Sequence, residues 1–453
     1  MFKNNMKKSI TLLIMLISLS TVSPFLNTTN AVGLTTSAGI SESTSNPTII
    51  DVKTYKLDIT GVTDTSIQFQ QMIDSLPSGS TIQLPSGTYK LSNVIKLKDN
   101  LHIIASNDVI IKGTGYNTLF STGNANSFEG IEFQNCATAL SVFQKTGFNI
   151  TNCRFTNNIN YAAINFYGSH DSSISNSYFY NIHKYGILID NDSSDIKIDN
   201  NNFDNPLVFD GYNVEQISGH IYCLNGTRIF ATNNIIKNSG GQGIIFGYNS
   251  TTGKGTTSSV AFNNRCIGNG QEGVTTYGGS KKVSNGNSIV SNTSINNRFN
   301  QIEVWQSDNN IVQGNTVEES IFGRGSLGSI CLFGTTGTTV TDNNILSSQS
   351  NGIAIIAGSL NCSVSNNFIA DTNRQNFVKT PEKGNGILLD WNGVADPQYI
   401  TIANNKISSS NGLIAKSGIY STSNTNHHNK INSNIITGYQ YGVHWYALAT
   451  CEK

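Results

Sequence analysis

The sequence predicts an all-β protein, a single-stranded parallel β-helix of about 11–12 coils with a short N-terminal helical cap. Three observations carry this. A six-residue unit centred on Asn recurs along most of the chain, and a Gly-apolar-x-apolar signature follows it. Charged residues make up only 12% of the 453, while Asn approaches roughly sixty, far above ordinary usage.

Taken in chain order, residues 1–31 are expected to be a signal peptide. Lys3, Lys7 and Lys8 precede an apolar run over residues 10–22, too short to span a bilayer, and Thr29-Asn30-Ala31 offers a small-x-small cleavage site. No wall-sorting pattern follows Tyr446, so the expected location is secreted, with no membrane partner. Residues 32–44 read as a linker and 45–110 as the N-terminal cap and first coils. Thr65-Ser66-Ile67-Gln68 has the form of a capping box, and Ile67, Met72, Ile73 and Leu76 mark one face of a short helix. Gly79-Ser-Thr-Ile-Gln-Leu-Pro85-Ser-Gly87-Thr-Tyr89 then reads as a strand and turn.

Residues 111–453 read as the β-helix itself. The unit appears as Ile150-Thr-Asn152-Cys-Arg-Phe155, Ile174-Ser-Asn176-Ser-Tyr-Phe179 and Ile198-Asp-Asn200-Asn-Asn-Phe203, and continues through Asn233-Asn234, Asn263-Asn264, Asn292, Asn315, Asn343-Asn344, Asn366-Asn367, Asn404-Asn405 and Asn434. Intervals of roughly 22 to 38 residues suit one solenoid coil each. Asn suits the turn twice over: it tolerates a left-handed backbone, and its amide can bond the equivalent amide one coil away. Such a ladder satisfies buried polar groups without charge. The second signature includes Gly186-Ile-Leu-Ile189, Gly243-Ile-Ile-Phe246, Gly352-Ile-Ala-Ile355 and Gly386-Ile-Leu-Leu389, alternation that fits half-buried strands.

Composition excludes several classes. With 28 Lys+Arg against 28 Asp+Glu, no excess of positive charge is present to hold nucleic acid. The seven cysteines are scattered singly, without the close spacing of a zinc or redox motif, and read as small apolar core residues.

The stretch from Thr65 to Tyr89, followed by the Asn coils, resembles the pectate-lyase-like right-handed parallel β-helix superfamily over about residues 45 to 446. The resemblance implies a right-handed solenoid and a role among polysaccharide lyases, glycoside hydrolases, uronan epimerases or tailspikes. Subfamily motifs are missing: Gly219-His220 is only an echo of the polygalacturonase set, Asp396-Pro397 lacks the His of alginate epimerases, and the Trp-x-Asp-His pattern of pectate lyases does not occur.

The site is therefore placed by geometry. Aligning the second-signature strands gives an outward column of Leu188, Tyr222, Ile245, Thr275, Glu303, Cys331, Ala354 and Leu388, and two residues on a second column of Asp190, Leu224, Gly247, Tyr277, Trp305, Phe333 and Ile356. The second is aromatic in its middle, with Tyr248 beside Gly247, and reads as platforms for sugar rings. Charged residues concentrate between positions 183 and 308, Glu215 among them. Glu272 and Glu303, with Cα atoms roughly 10 to 11 Å apart by coil spacing, are the candidate catalytic carboxylates of an inverting hydrolase, and Arg298 is the candidate group beside Glu272 that holds substrate or tunes a carboxylate. Candidate substrate-binding residues are Asp190, Gln242, Tyr248, Tyr277, Trp305, Lys254 and Lys281, with two longer loops over 247–258 and 277–287 walling the same face. His220 reads as a surface or turn histidine. His427-His428 reads as a loop pair without an acidic neighbour, and no metal site is expected.

The expected function is a secreted carbohydrate-active enzyme that cleaves glycosidic bonds of an extracellular polysaccharide, acting as a monomer or a homotrimer without a cofactor. A β-eliminating lyase on a uronate polymer, for which calcium would be the expected ion, and a non-catalytic glycan-binding surface or tailspike-like protein are the alternatives.

Overall fold

A computed structural model of the protein describes residues 48–49, 52–206, 218–320, 326–377, 379–410, 416–423 and 425–446. All lie in one compact unit, Pro47–Lys453. The expected signal peptide and linker, Glu215 and Cys451 fall outside the described residues.

Short strands alternate with tight turns, and each strand pairs in parallel with its counterpart one turn away, generating a right-handed solenoid of about 15 turns. This exceeds the 11–12 anticipated because the early turns, through His102–Lys112 and Ser127–Phe143, do not carry the Asn pair. Three faces result. The first runs through Asn149–Thr151, His170–Ser175 and Ser193–Asp199, and the second through Tyr178–Tyr180, Asn202–Asp204 and Ile235–Lys237. The third runs through Tyr185–Asp190, Gly219–Cys223, Gln242–Phe246, Val274–Tyr277, Ile302–Trp305 and Gly328–Phe333.

Alternation turns every second residue inward, and the interior is one continuous column of Ile, Val, Leu and Phe. Burying such a side chain contributes roughly 1.5–3 kcal/mol, so a turn without ion pairs is still well held. Phe133, Phe155, Phe179 and Phe203 stack ring on ring at 5.1, 4.7 and 4.3 Å. The six described cysteines are all buried free thiols, in keeping with their reading as small apolar residues.

The turn between the first and second faces corrects the expectation that one Asn does both jobs. It holds two residues with separate tasks. The first, as at Asn152, Asn176, Asn200, Asn233 and Asn263, sits in the left-handed region at φ 52 to 56°. The second points inward and forms the ladder, Asn201–Asn234–Asn264–Asn292–Asn315–Asn343–Asn367–Asn405–Asn434, each Nδ2 donating to the next Oδ1 at 2.9–3.1 Å. The same oxygen also accepts the backbone N–H of the preceding rung, as from Asn264 to Asn292 at 2.9 Å. Earlier turns put Cys153 and Ser177 at the ladder position, so the ladder starts at Asn201.

The cap helix forms over Ser66–Ser75, but not through the expected capping box. Thr65 makes no side-chain cap bond, and Asp64 Oδ1 instead accepts from the Ser66 N–H at 3.1 Å. Its buried face is Phe69, Met72 and Ile73, while Ile67 is exposed. Phe69 replaces Ile67 because it meets Tyr89 and Phe120 edge to face. No helix among the described residues is long and apolar enough to cross a membrane.

Candidate functional site

The third face carries the columns expected from the sequence. Leu188, Tyr222, Ile245, Thr275, Glu303, Cys331, Ala354 and Leu388 are successive register partners. So are Tyr277, Trp305, Phe333 and Ile356. The first column, however, is not an open wall. Its members are almost fully covered and form two outer apolar clusters, one around Tyr185, Leu188, Tyr222 and Ile245 and one around Cys331, Ala354, Leu388 and Tyr420. Thr275 and Glu303 lie in the column between them.

Glu272 stands in the turn that feeds Val274–Tyr277, and Glu303 stands one turn later within Ile302–Trp305. Both are buried, at 8% and 6% exposure. Burial pushes the Glu272 carboxyl up to about 7. Glu303 is raised well above the ordinary carboxylate range by burial first and by the negative charge of Glu272 second. Two carboxyls that interact in this way share protons as a pair. Tyr222 is pushed up to about 12 by burial, then by Tyr277 and Glu272, so its hydroxyl stays protonated beside them.

Neutral amides surround the pair. Gln242, one turn before Glu272 in register, donates Nε2 to Glu272 Oε2 at 3.3 Å and also to Gln271 Oε1. Asn300, which sequence reasoning missed, donates Nδ2 to Glu303 Oε1 at 2.6 Å while its own Oδ1 accepts the Leu327 N–H at 3.2 Å. The backbone donor fixes which end of the Asn300 amide faces Glu303. A signal existed, since Asn300 is one turn above Glu272 and three residues before Glu303. Arg298 is half-buried with its guanidinium 5.5 Å over the Phe299 ring, and Gln242 is the side chain that bonds Glu272.

The aromatic column is present but arranged differently from flat platforms. Trp305 and Phe333 lie face to face at 3.7 Å and 3°, so each covers the other. Tyr248–Tyr277 and Tyr277–Trp305 are tilted contacts at 5.5 and 6.3 Å, leaving half-buried rings along the column. Both longer loops are tied down: Tyr248–Asn249 pairs antiparallel with Lys254–Gly255 as a small hairpin, and Lys282 ties the next loop to Asp308 at 3.2 Å. Asp190 accepts from Asn249 Nδ2 with both oxygens at 3.0 and 2.9 Å. Lys254 is exposed and paired with Asp192 at 2.5 Å, and Lys281 is exposed.

Two histidine readings change. His220 is 2% exposed, sits 5.4 Å from the last phenyl of the interior stack and shares a hydrogen bond with the Lys237 carbonyl at 2.8 Å. It is an interior residue, not a surface one. His427 does have an acidic neighbour, Asp396, at 3.0 Å, brought there from the preceding turn. Among the described residues no group of three or more His, Cys, Asp or Glu could hold a metal ion.

A family model described as "Right handed beta helix region" matches residues 93–253. Among solved structures, the chain is similar to PfbA, a surface adhesin of Streptococcus pneumoniae, at 17% identity and a TM-score of 0.54, covering 79% of this chain and 93% of that one. It is also similar to the N-terminal fragment of bacteriophage Phi29 gene product 12, at 15% identity and a TM-score of 0.63, covering 88% and 73%. Bacteriophage CBA120 tailspike protein 3 matches at 13% identity and a TM-score of 0.53, covering 89% and 60%. What these share with the chain is the solenoid. A search of the curated proteins returns no match.

Proposed function

We propose that the chain is a carbohydrate-active enzyme that cleaves glycosidic bonds of an extracellular polysaccharide, with Glu272 and Glu303 as its acid–base pair. The observation that carries this reading is a pair of buried carboxyls on adjacent turns of one face in a chain otherwise poor in charge. One shared proton gives an acid and a base at neutral pH, which glycoside hydrolysis requires. Glu303 takes the acid role, because burial and the charge of Glu272 raise it well above the ordinary carboxylate range, so it keeps the proton and delivers it to the leaving oxygen. Glu272, raised only to about 7 and accepting from Gln242 Nε2, gives up its proton first and serves as the base. Gln242 orients Glu272, Arg298 binds substrate oxygens at the rim, and Tyr248, Tyr277 and Trp305 contact apolar sugar faces, flanked by Asp190, Lys254 and Lys281.

Elimination fits less well. A lyase base needs a lowered pKa, whereas burial raises the Tyr277 hydroxyl and Lys254 is engaged with Asp192. The test is incubation of the purified protein with polygalacturonate, alginate, xylan and mixed-linkage glucan, reading new reducing ends and ultraviolet absorbance in parallel. New reducing ends without absorbance, lost in Glu272→Gln and in Glu303→Gln, support hydrolysis. Absorbance with cleavage shows a lyase, and binding without turnover shows a non-catalytic glycan binder; either outcome overturns the proposal.

A further inference from the structure

We infer a second glycan-binding platform on the third face, built from Phe143 and Tyr167, which makes the substrate a long chain bound at two places. It rests on the polysaccharide reading above. The two rings are register partners on adjacent turns, and Asp190 follows Tyr167 in the same column. That column leads on to Tyr277 and Trp305. Phe143 and Tyr167 are 51% and 38% exposed, a stacked pair of open aromatics on a solenoid whose described phenylalanines are mostly buried.

Their geometry differs from that of the stack beside the carboxylates. The ring centroids are 5.1 Å apart with planes 5° from parallel. With ring faces in contact at about 3.5 Å, the lateral offset is about 3.7 Å. The rings therefore overlap like shingles, and each leaves part of its face open, whereas Trp305 and Phe333 cover one another. An open, inclined aromatic face takes the apolar C–H side of a sugar ring. Polar groups lie alongside: Asn165, two residues before Tyr167 and thus on the same side of the strand, pairs in register with Ser141.

From the strand of Tyr167 to the strand of Glu303 is five register steps, or about 24 Å along the axis at ~4.8 Å each. Only a chain of several sugar units reaches from one to the other. The platform would thus hold an internal stretch of polymer while the carboxylates work further along.

The experiment is calorimetric titration of the Glu272→Gln protein with the four polymers named above and with short oligosaccharides made from whichever of them binds. Phe143→Ala/Tyr167→Ala in that background should weaken polymer binding by about tenfold and leave short oligosaccharides at the parent affinity. Phe143→Tyr/Tyr167→Phe, which keeps both rings and controls for folding, should bind as the parent does. Unchanged polymer affinity in the double alanine variant overturns the platform while leaving the carboxylate site standing. A parent that binds none of the four polymers overturns both readings, and equal losses for polymer and short oligosaccharide overturn the platform as a separate place.

Discussion

Asn292 lies in the middle of the inward ladder, and its removal should be among the costlier single changes in the solenoid. Its Oδ1 accepts from the Asn264 backbone N–H and from Asn264 Nδ2, both at 2.9 Å. Its Nδ2 donates to the Ala261 carbonyl at 2.9 Å and to Asn315 Oδ1 at 3.0 Å. In Asn292→Ala, two buried donors on Asn264 lose their acceptor at once, each at a cost of about 1–3 kcal/mol, so a total of about 2–6 kcal/mol is expected. The comparison is Asn263→Ala, one turn earlier but at the outer position of the same kind of turn. There φ is 54° and the exposed amide donates to Asn233 Oδ1 at 2.8 Å, so the loss is left-handed strain of about 1–2 kcal/mol plus one solvent-exposed hydrogen bond, and Asn263→Gly recovers the strain. Urea unfolding followed by far-ultraviolet circular dichroism measures all three. Because turns contact only their neighbours, the Asn292 variant should also show a less cooperative transition. If Asn292→Ala costs no more than Asn263→Ala, the division of labour between the two turn residues is wrong.

Four further outcomes can be checked. Because Glu272 is raised from 4.5 to about 7, the folded state binds more protons than the unfolded one across that window. Stability should therefore fall as pH rises from about 4.5 to 7, by about 3 kcal/mol for the shift, and Glu272→Gln should flatten this fall in thermal melts. His220 is lowered from 6.5 to about 4 by burial, so stability should also fall as pH drops from 6.5 toward 4, a limb that His220→Phe should remove. Glu303→Gln should reduce turnover by about 10²–10⁴-fold while polymer affinity by calorimetry persists. Asn300→Ala should move the basic limb of the activity–pH profile upward, because Glu303 loses the donor that favours its charge and keeps its proton to higher pH; a profile unchanged in position would show that Asn300 only holds the Leu327 backbone.

Much of the fold was readable because a solenoid repeats its reasons. The strand columns from Leu188 to Leu388 follow from alternation alone, and the register partners match them residue by residue. The recurring Asn pair also located the turns. What could not be read was which Asn of the pair faces inward, since that depends on backbone φ and not on residue type. Exposure was also misjudged: the column through Tyr222 and Glu303 is outward yet covered, because residues far apart in sequence pack over it. His220 was misplaced for the same reason, as only the interior phenyl stack explains its burial. Asn300 carried no motif, and its role appears only when Glu272 and Glu303 are set side by side.

One regularity of the first turn reaches beyond stability. From Thr151 and Arg154 to Asn432 and Ile435, two residues always separate the first-face strand from the second-face strand. The spacing between consecutive ladder rungs meanwhile ranges from 23 to 38 residues. All variation in turn length is thus confined to the other two corners, which border the wall bearing the paired glutamates. One edge keeps time while the remaining edges are free to be rewritten, so new loops can be added around the reaction centre without shifting a single rung, and the chain's chemistry can change while its backbone keeps the same beat.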